Sequence, residues 1–313
     1  VLRLWVSSVD YSADVPIGSG ILRQLADVYR KVRNTSRYLL GNLHDFNPTD
    51  DAVPVAELPL LDRWMLQRTA EVMDEITAAF ESYEFFRFFQ LLQNFCVTDL
   101  SNFYLDIAKD RLYVSAPADR RRRSCQTVMS LIIERLAGMI APVLCHMAED
   151  IWQNLPYAVE ERSIFNRGWP SVPTDWRDPT LSEPIQRLRE LRAAVNKVLE
   201  ECRSQQELGA SLEAAVRIET RNPELQAALY WLNENGDTEA DGLRDWLLVS
   251  QLQLGGEPWA ELLATQTDDT AIIEVSRARG IKCERCWHYE GDIGQHSQHP
   301  ALCGRCIGVL ARI

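Results

Sequence analysis

Apolar residues recur at three- and four-residue steps along most of the first 155 positions, and that period predicts helices. In the segment 21–43, Leu22, Leu25, Val28, Tyr29, Val32, Leu39, Leu40 and Leu43 form one stripe, and Gly41 and Asn42 mark a fraying end. A Pro- and Asp-containing loop leads to a second helix over 60–80. A third, over 83–107, is rich in phenylalanine, and Phe85, Phe86, Phe88, Phe89, Phe95 and Phe103 read as core. A fourth covers 120–155 with a bend at Pro142, where the ring removes a backbone hydrogen bond. Long helices with short connections predict an antiparallel helix bundle.

Beyond a proline-rich loop at 156–180 the pattern changes. Ser182 and Pro184 suit the first turn of another helix, whose stripe is Leu188, Leu191, Val195, Val198, Leu199 and Cys202. The segments 212–220 and 271–276 alternate like strands, and 246–254 reads as a third. The expected fold is therefore mainly α: a bundle over 21–160, a small α+β region over 161–275 and a cysteine module over 276–313. Residues 1–20 read as a junction, because Leu2, Leu4, Trp5 and Val6 are too apolar for a free start.

The module carries the strongest chemical signal. Cys283-Glu284-Arg285-Cys286 and Cys303-Gly304-Arg305-Cys306 stand sixteen residues apart. Two Cys-x-x-Cys knuckles so spaced suit one tetrahedral Zn²⁺ held by four thiolates, with no position left for a catalytic water. The expected role is structural: a tail too small to fold alone is stapled by metal. His288, His296 and His299 lie between the knuckles and are alternative ligands. Two disulfides are a further reading, which needs an oxidising compartment, and thiol redox chemistry is another. The first residues have neither a basic n-region nor a cleavage pattern, and Cys96, Cys125, Cys145 and Cys202 stand singly in helix-like segments. A cytoplasmic location follows as the expectation.

A net charge of −12 argues against non-specific nucleic-acid binding by the whole surface, yet the charge is uneven. Residues 21–46 hold five Lys/Arg against two Asp, and residues 276–313 hold six against three. Arg30, Arg33 and Arg37 share a helix face, flanked by Asn34, and such a stripe can follow a phosphate backbone; the alternative is a solvated face. Trp287 with Arg285 and Arg305 offers an aromatic surface beside cations for unpaired bases, or Trp287 fills the small core of the module. The run Arg120–Arg123, at a helix start, reads as an exposed corner, with an RNA contact as the alternative. No apolar run reaches the roughly 20 residues that cross a bilayer. Phosphate-binding Gly-rich loops, Gly-x-Ser-x-Gly and His-Glu-x-x-His are all absent from the sequence.

Several segments carry a resemblance. Leu2-Arg3-Leu4-Trp5-Val6-Ser7-Ser8 and Arg33-Asn34-Thr35 with Arg37-Tyr38-Leu39-Leu40 resemble the start of the anticodon-binding domain of class I aminoacyl-tRNA synthetases. Residues 99–106, Lys109-Asp110-Arg111-Leu112-Tyr113, Ala148-Glu149-Asp150-Ile151-Trp152 and Gly209–Ala214 are similar to the isoleucyl branch, as is the closing cysteine module with Trp287. The resemblance implies the anticodon-binding part of an enzyme that joins isoleucine to its tRNA with ATP. Its nucleotide-binding signatures His-x-Gly-His and Lys-Met-Ser-Lys-Ser are not in this sequence. It implies a chain without catalytic residues of its own, which binds the anticodon region of the isoleucine tRNA and works with catalytic and editing domains as a monomer. Competing readings are a free-standing RNA-binding protein, a helical protein-interaction scaffold and a thiol redox protein.

Overall fold

The computed structural model describes residues 1–313 and divides the chain into two compact units. The first comprises Val1–Ala108 and Ala118–Asp178; the second comprises Lys109–Pro117 and Pro179–Ile313. The short stretch 109–117 thus belongs with the C-terminal half, which local periodicity does not reveal.

The first unit is a helix bundle. Its elements are α1 (Leu2–Val6), α2 (Ser19–Gly41), α3 (Pro48–Asp51), α4 (Leu60–Glu81), α5 (Phe85–Asn94), a π-helix (Phe95–Tyr104), the start of α6 (Leu105–Val114), α7 (Arg120–Ile140), α8 (Cys145–Gln153) and α9 (Ile164–Arg167). Leu25, Val32 and Leu39 recur every seven residues on the inward face of α2, and all are buried. Helix α4 is buried on most of its circumference: Leu61, Met65, Leu66 and Ile76 are fully enclosed. That burial suits a central helix of the bundle.

Two expectations need correction. The expected helix over 83–107 is interrupted by π-turns at Phe95–Tyr104. There Ser101 Oγ donates to Cys96 O (2.8 Å) and meets Thr35 Oγ1 of α2 at 2.9 Å. The expected single helix over 120–155 is two, since α7 ends at Ile140 and α8 begins at Cys145. Pro142 therefore lies in the break between helices, not at a bend.

The Arg120–Arg123 run is another departure. Asp119 caps α7 by accepting from Arg121 N (2.9 Å). Arg122 forms a two-pronged contact with Asp45 (2.6 and 2.8 Å), and Arg123 reaches Asp51 (3.2 Å). Only Arg120 is exposed. The run ties the helix start to the loop after α2 and is not an open corner. Hydrogen bonding from Arg122 holds the Asp45 carboxyl well below the usual carboxylate range, with Gln126 and Arg123 adding to the effect.

In the second unit, a four-stranded sheet with order β2-β1-β4-β3 packs one face on α10 (Ser182–Ser204). The strands are β1 (Ala214–Glu219), β2 (Gln251–Leu254), β3 (Ala264–Thr267) and β4 (Ile272–Arg277). Strands β1 and β2 run parallel, joined through α11 (Pro223–Asn235) and α12 (Leu243–Leu247); β1–β4 and β3–β4 are antiparallel. Val216, Ile218, Ile273 and Val275 meet Leu191, Val195 and Leu199 in the core. Residues 243–247, partly expected as strand, are helical, so strand structure begins only at Gln251. The side chain of Ser182 does not cap α10, because a 3-10 turn over Pro179–Leu181 precedes it.

Candidate metal centre and nucleic-acid surface

The cysteine module is built on a two-stranded ribbon, β5 (Ile281–Lys282) with β6 (Tyr289–Glu290), and on α13 (Gly304–Leu310). Gly280 is required at the ribbon's entry. Its φ is +102°, and a Cβ there would stand 2.4 Å from Glu290 O. The first knuckle spans the turn between the strands. The second begins at the N-cap of α13, where Gly304 N donates to Asp292 Oδ2 (2.7 Å).

All four thiols are buried, and their sulfurs lie within 4.8 Å of one another. Cys283 Sγ to Cys306 Sγ is 3.8 Å, and Cys286 Sγ to Cys303 Sγ is 3.7 Å. A disulfide needs about 2.05 Å. Four sulfurs about 2.3 Å from one ion stand about 3.8 Å apart, so the spacing fits tetrahedral zinc. Electrostatics agrees. The Cys306 thiol donates to Cys286, and Arg305 lies near, which brings Cys286 down to about 4. Burial pushes Cys303 up to about 11, and the Cys286 charge together with burial drives Cys306 higher still. One thiolate is easily held in this pocket; four require a cation among them. His288 is buried but is not one of the clustered ligands, and neither are His296 and His299. Burial keeps His288 below the usual imidazole range.

The surroundings also belong to the second unit. Val114, Ile293 and Val309 pack near the thiols or complete the module's small interior. Arg305 donates to both oxygens of Asp110 (2.7 and 2.8 Å), which keeps it charged despite burial. Arg285 Nη1 approaches Cys306 Sγ at 3.8 Å. The proposed RNA-facing triplet is thus split. Arg305 is committed inward and Arg285 is half-buried, while Trp287 is 61% exposed and does not fill the core. Its φ of +67° is unusual for so bulky a residue, and Lys282 Nζ lies 5.5 Å from the ring centroid.

In the first unit, Arg30, Arg33, Asn34 and Arg37 all lie exposed on α2. Arg30 pairs with Asp27. Arg33 and Arg37 line an open groove of about 770 Å³ whose other wall is α8, with His146 and Asn154. The α8 wall, which also carries Met147, Asp150 and Ile151, went unread in the sequence, because helical spacing does not announce which groove a face borders.

The family model for the anticodon-binding domain of tRNA ligase matches residues 62–218, and the zinc finger found in FPG and IleRS matches residues 280–308. With the thiol cluster, the latter identifies a structural zinc site. The isoleucine–tRNA ligase of Parasynechococcus marenigrum (strain WH8102) is 83% identical over 312 residues. That of Synechococcus sp. (strain CC9311) is 77% identical over 312 residues, and that of Prochlorococcus marinus (strain MIT 9313) is 76% identical over 310. These alignments cover 99–100% of this chain and 32% of each relative, so the chain spans about a third of the curated relatives it matches. A domain model that matches half of the chain, residues 62–218 of 313, and identity this high lead to one conclusion: the chain belongs to the family of the anticodon-binding domain of tRNA ligases.

Proposed function

We propose that this chain is the tRNA-holding part of an isoleucine–tRNA ligase, gripping the anticodon stem and loop while domains of the longer protein attach isoleucine with ATP. The observation that carries this reading is the conjunction of an anticodon-binding bundle and a zinc module in one chain, 83% identical to a relative of that name. On this reading the chain performs no catalysis by itself.

The division of labour is electrostatic and steric. The exposed Arg33 and Arg37, with Arg30 and Asn34 beside them, meet phosphates along the groove. Phosphate contacts position an RNA and supply most of its salt-dependent affinity. Anticodon-loop bases are unpaired, so they can splay out and stack on aromatic surfaces. The Trp287 indole is the stacking surface we assign to them, with Lys282 and Arg285 nearby. Arg305 serves as a positioning residue through Asp110.

Cys283, Cys286, Cys303 and Cys306 are the four zinc ligands of this proposal. When bound, the metal supplies charge and cross-linking, not chemistry. It fixes the turn that carries Trp287. Burial pushes the Cys96 thiol up to about 12, so it stays protonated and unreactive. The same reading takes the chain as cytoplasmic and as a monomer, the latter to be checked by sedimentation.

The test is filter binding of the isoleucine tRNA against unrelated tRNAs. Selective retention of the isoleucine tRNA is expected. Equal retention of all tRNAs would defeat the isoleucine assignment, and no retention at low salt would defeat RNA binding itself.

A further inference from the structure

Both walls of the groove between α2 and α8, within the first unit, carry a polar stripe. On α2, Arg33 and Arg37 stand one turn apart; on α8 and its C-cap, His146, Asp150 and Asn154 follow at four-residue steps. All five residues are exposed and line the groove, yet phosphate binding accounts for the α2 wall alone. We propose that Asp150 is a specificity-determining residue: its carboxylate accepts from the amino group of an unpaired base in the anticodon loop, while Arg33 and Arg37 hold the flanking phosphates. The proposal rests on the tRNA-holding reading and deepens it by naming a base reader in the same groove.

Stability does not explain Asp150. It lies in the last turn of α8, where the helix dipole disfavours a negative charge. No cation offsets that cost. The carboxylate meets only the Asn154 amide, at a long 3.4 Å, and forms no ion pair. The firm contact of that amide goes instead to the Asp150 backbone carbonyl, at 2.8 Å. Arg33 and Arg37 line the same groove but pair with no carboxylate, Asp150 included. Charges of both signs thus border one space of about 770 Å³ without closing on each other.

Single-stranded RNA matches this arrangement better than a peptide. An acidic segment would satisfy the arginines and be repelled by Asp150; a basic one would pair with Asp150 and be repelled by two arginines. RNA brings both partners at once: phosphate oxygens for the guanidiniums and base amino groups, which are donors, for the carboxylate. Leu40, Met147 and Ile151 add apolar surface to the lining, against which the ring of a splayed base can pack. Guanine, adenine and cytosine carry an exocyclic amino group and uracil does not, so a carboxylate here sorts loops by their bases. Helix α8 also lies inside the span 62–218 matched by the anticodon-binding domain model, which favours RNA as the occupant.

The 313-residue chain, as wild type and as Asp150→Asn, is titrated by filter binding with the isoleucine tRNA and with unrelated tRNAs across several salt concentrations. The position is exposed and the substitution keeps its shape, and thermal unfolding is followed to show that the fold is kept. Asp150→Asn is expected to lower the preference for the isoleucine tRNA about tenfold and to leave the salt slope as it is, since base contacts carry discrimination and phosphate contacts carry the slope. In a second arm, each amino-bearing base of the anticodon is replaced in turn by uridine. At one position the change should weaken wild type about tenfold while Asp150→Asn loses little. A preference that survives Asp150→Asn, whether all tRNAs then bind more tightly, more weakly or as before, would overturn the role of Asp150 and leave the reading of the chain intact. A uridine series in which no position separates the two proteins would do the same. A wild type that retains no tRNA, or all tRNAs equally, would overturn both.

Discussion

The bundle and the cysteine module solve the same problem with opposite means. In the bundle, Leu61, Met65, Leu66, Ile132, Ile133 and Leu136 are fully enclosed, and each buried aliphatic side chain contributes about 1.5–3 kcal/mol. In the module, the enclosed side chains around the knuckles are chiefly the cysteines themselves, with Ile293, Val309 and His288. A segment this short cannot bury enough apolar surface to offset its chain entropy, so sulfur and metal must take the place of a core. The comparison teaches that one chain can hold one of its surfaces by packing and another by coordination. The two should fail under different insults.

The largest effect should come from taking the metal's ligands away. Cys283→Ser leaves three thiols and is expected to abolish stoichiometric zinc while α2–α8 keep their amide-exchange protection; apparent zinc binding in small modules amounts to about 10–16 kcal/mol. A variant that still holds one zinc in an ordered module would break the contrast. Next in size is the bundle's own response. Met65→Ala should lower stability by about 2–5 kcal/mol with zinc content unchanged, read by urea unfolding and metal analysis together.

A smaller effect is expected at Asp45, with a defined pH dependence. Its folded-state carboxyl titrates below the unfolded value of about 3.9, so it stabilises the bundle fully above about pH 5. That contribution fades as the pH falls through the acid range. Asp45→Asn should therefore cost about 1–3 kcal/mol at pH 7 and flatten the acid limb of the unfolding midpoint. Parallel acid limbs for the two proteins would show that the Arg122 contact is idle. The smallest change is Arg33→Ala, which should leave both melting and zinc content alone and lower the salt slope of tRNA binding by about one. An unchanged slope would remove Arg33 from the phosphate path.

Much of this was written locally in the chain. The Leu25–Val32–Leu39 spacing predicts the buried face of α2, and the two Cys-x-x-Cys knuckles predict a cluster that the fold does assemble. Features fixed by distant partners were illegible. Nothing near Arg122 indicates Asp45, 77 positions away, so a basic run reads as exposed when it is half enclosed. The π-turns at Phe95–Tyr104 shift register without altering residue type, and hydrophobic spacing cannot register that. Helix α11 was legible yet unread: Asn222 caps it by accepting from Leu225 N (2.9 Å), with Pro223 in its first turn.

Nuclease footprinting of the isoleucine tRNA in the presence of this chain tests the central claim most directly. Protection confined to the anticodon stem and loop, with the acceptor end left open to cleavage, is the predicted pattern. Protection of the acceptor end with a fully cleaved anticodon loop would contradict it.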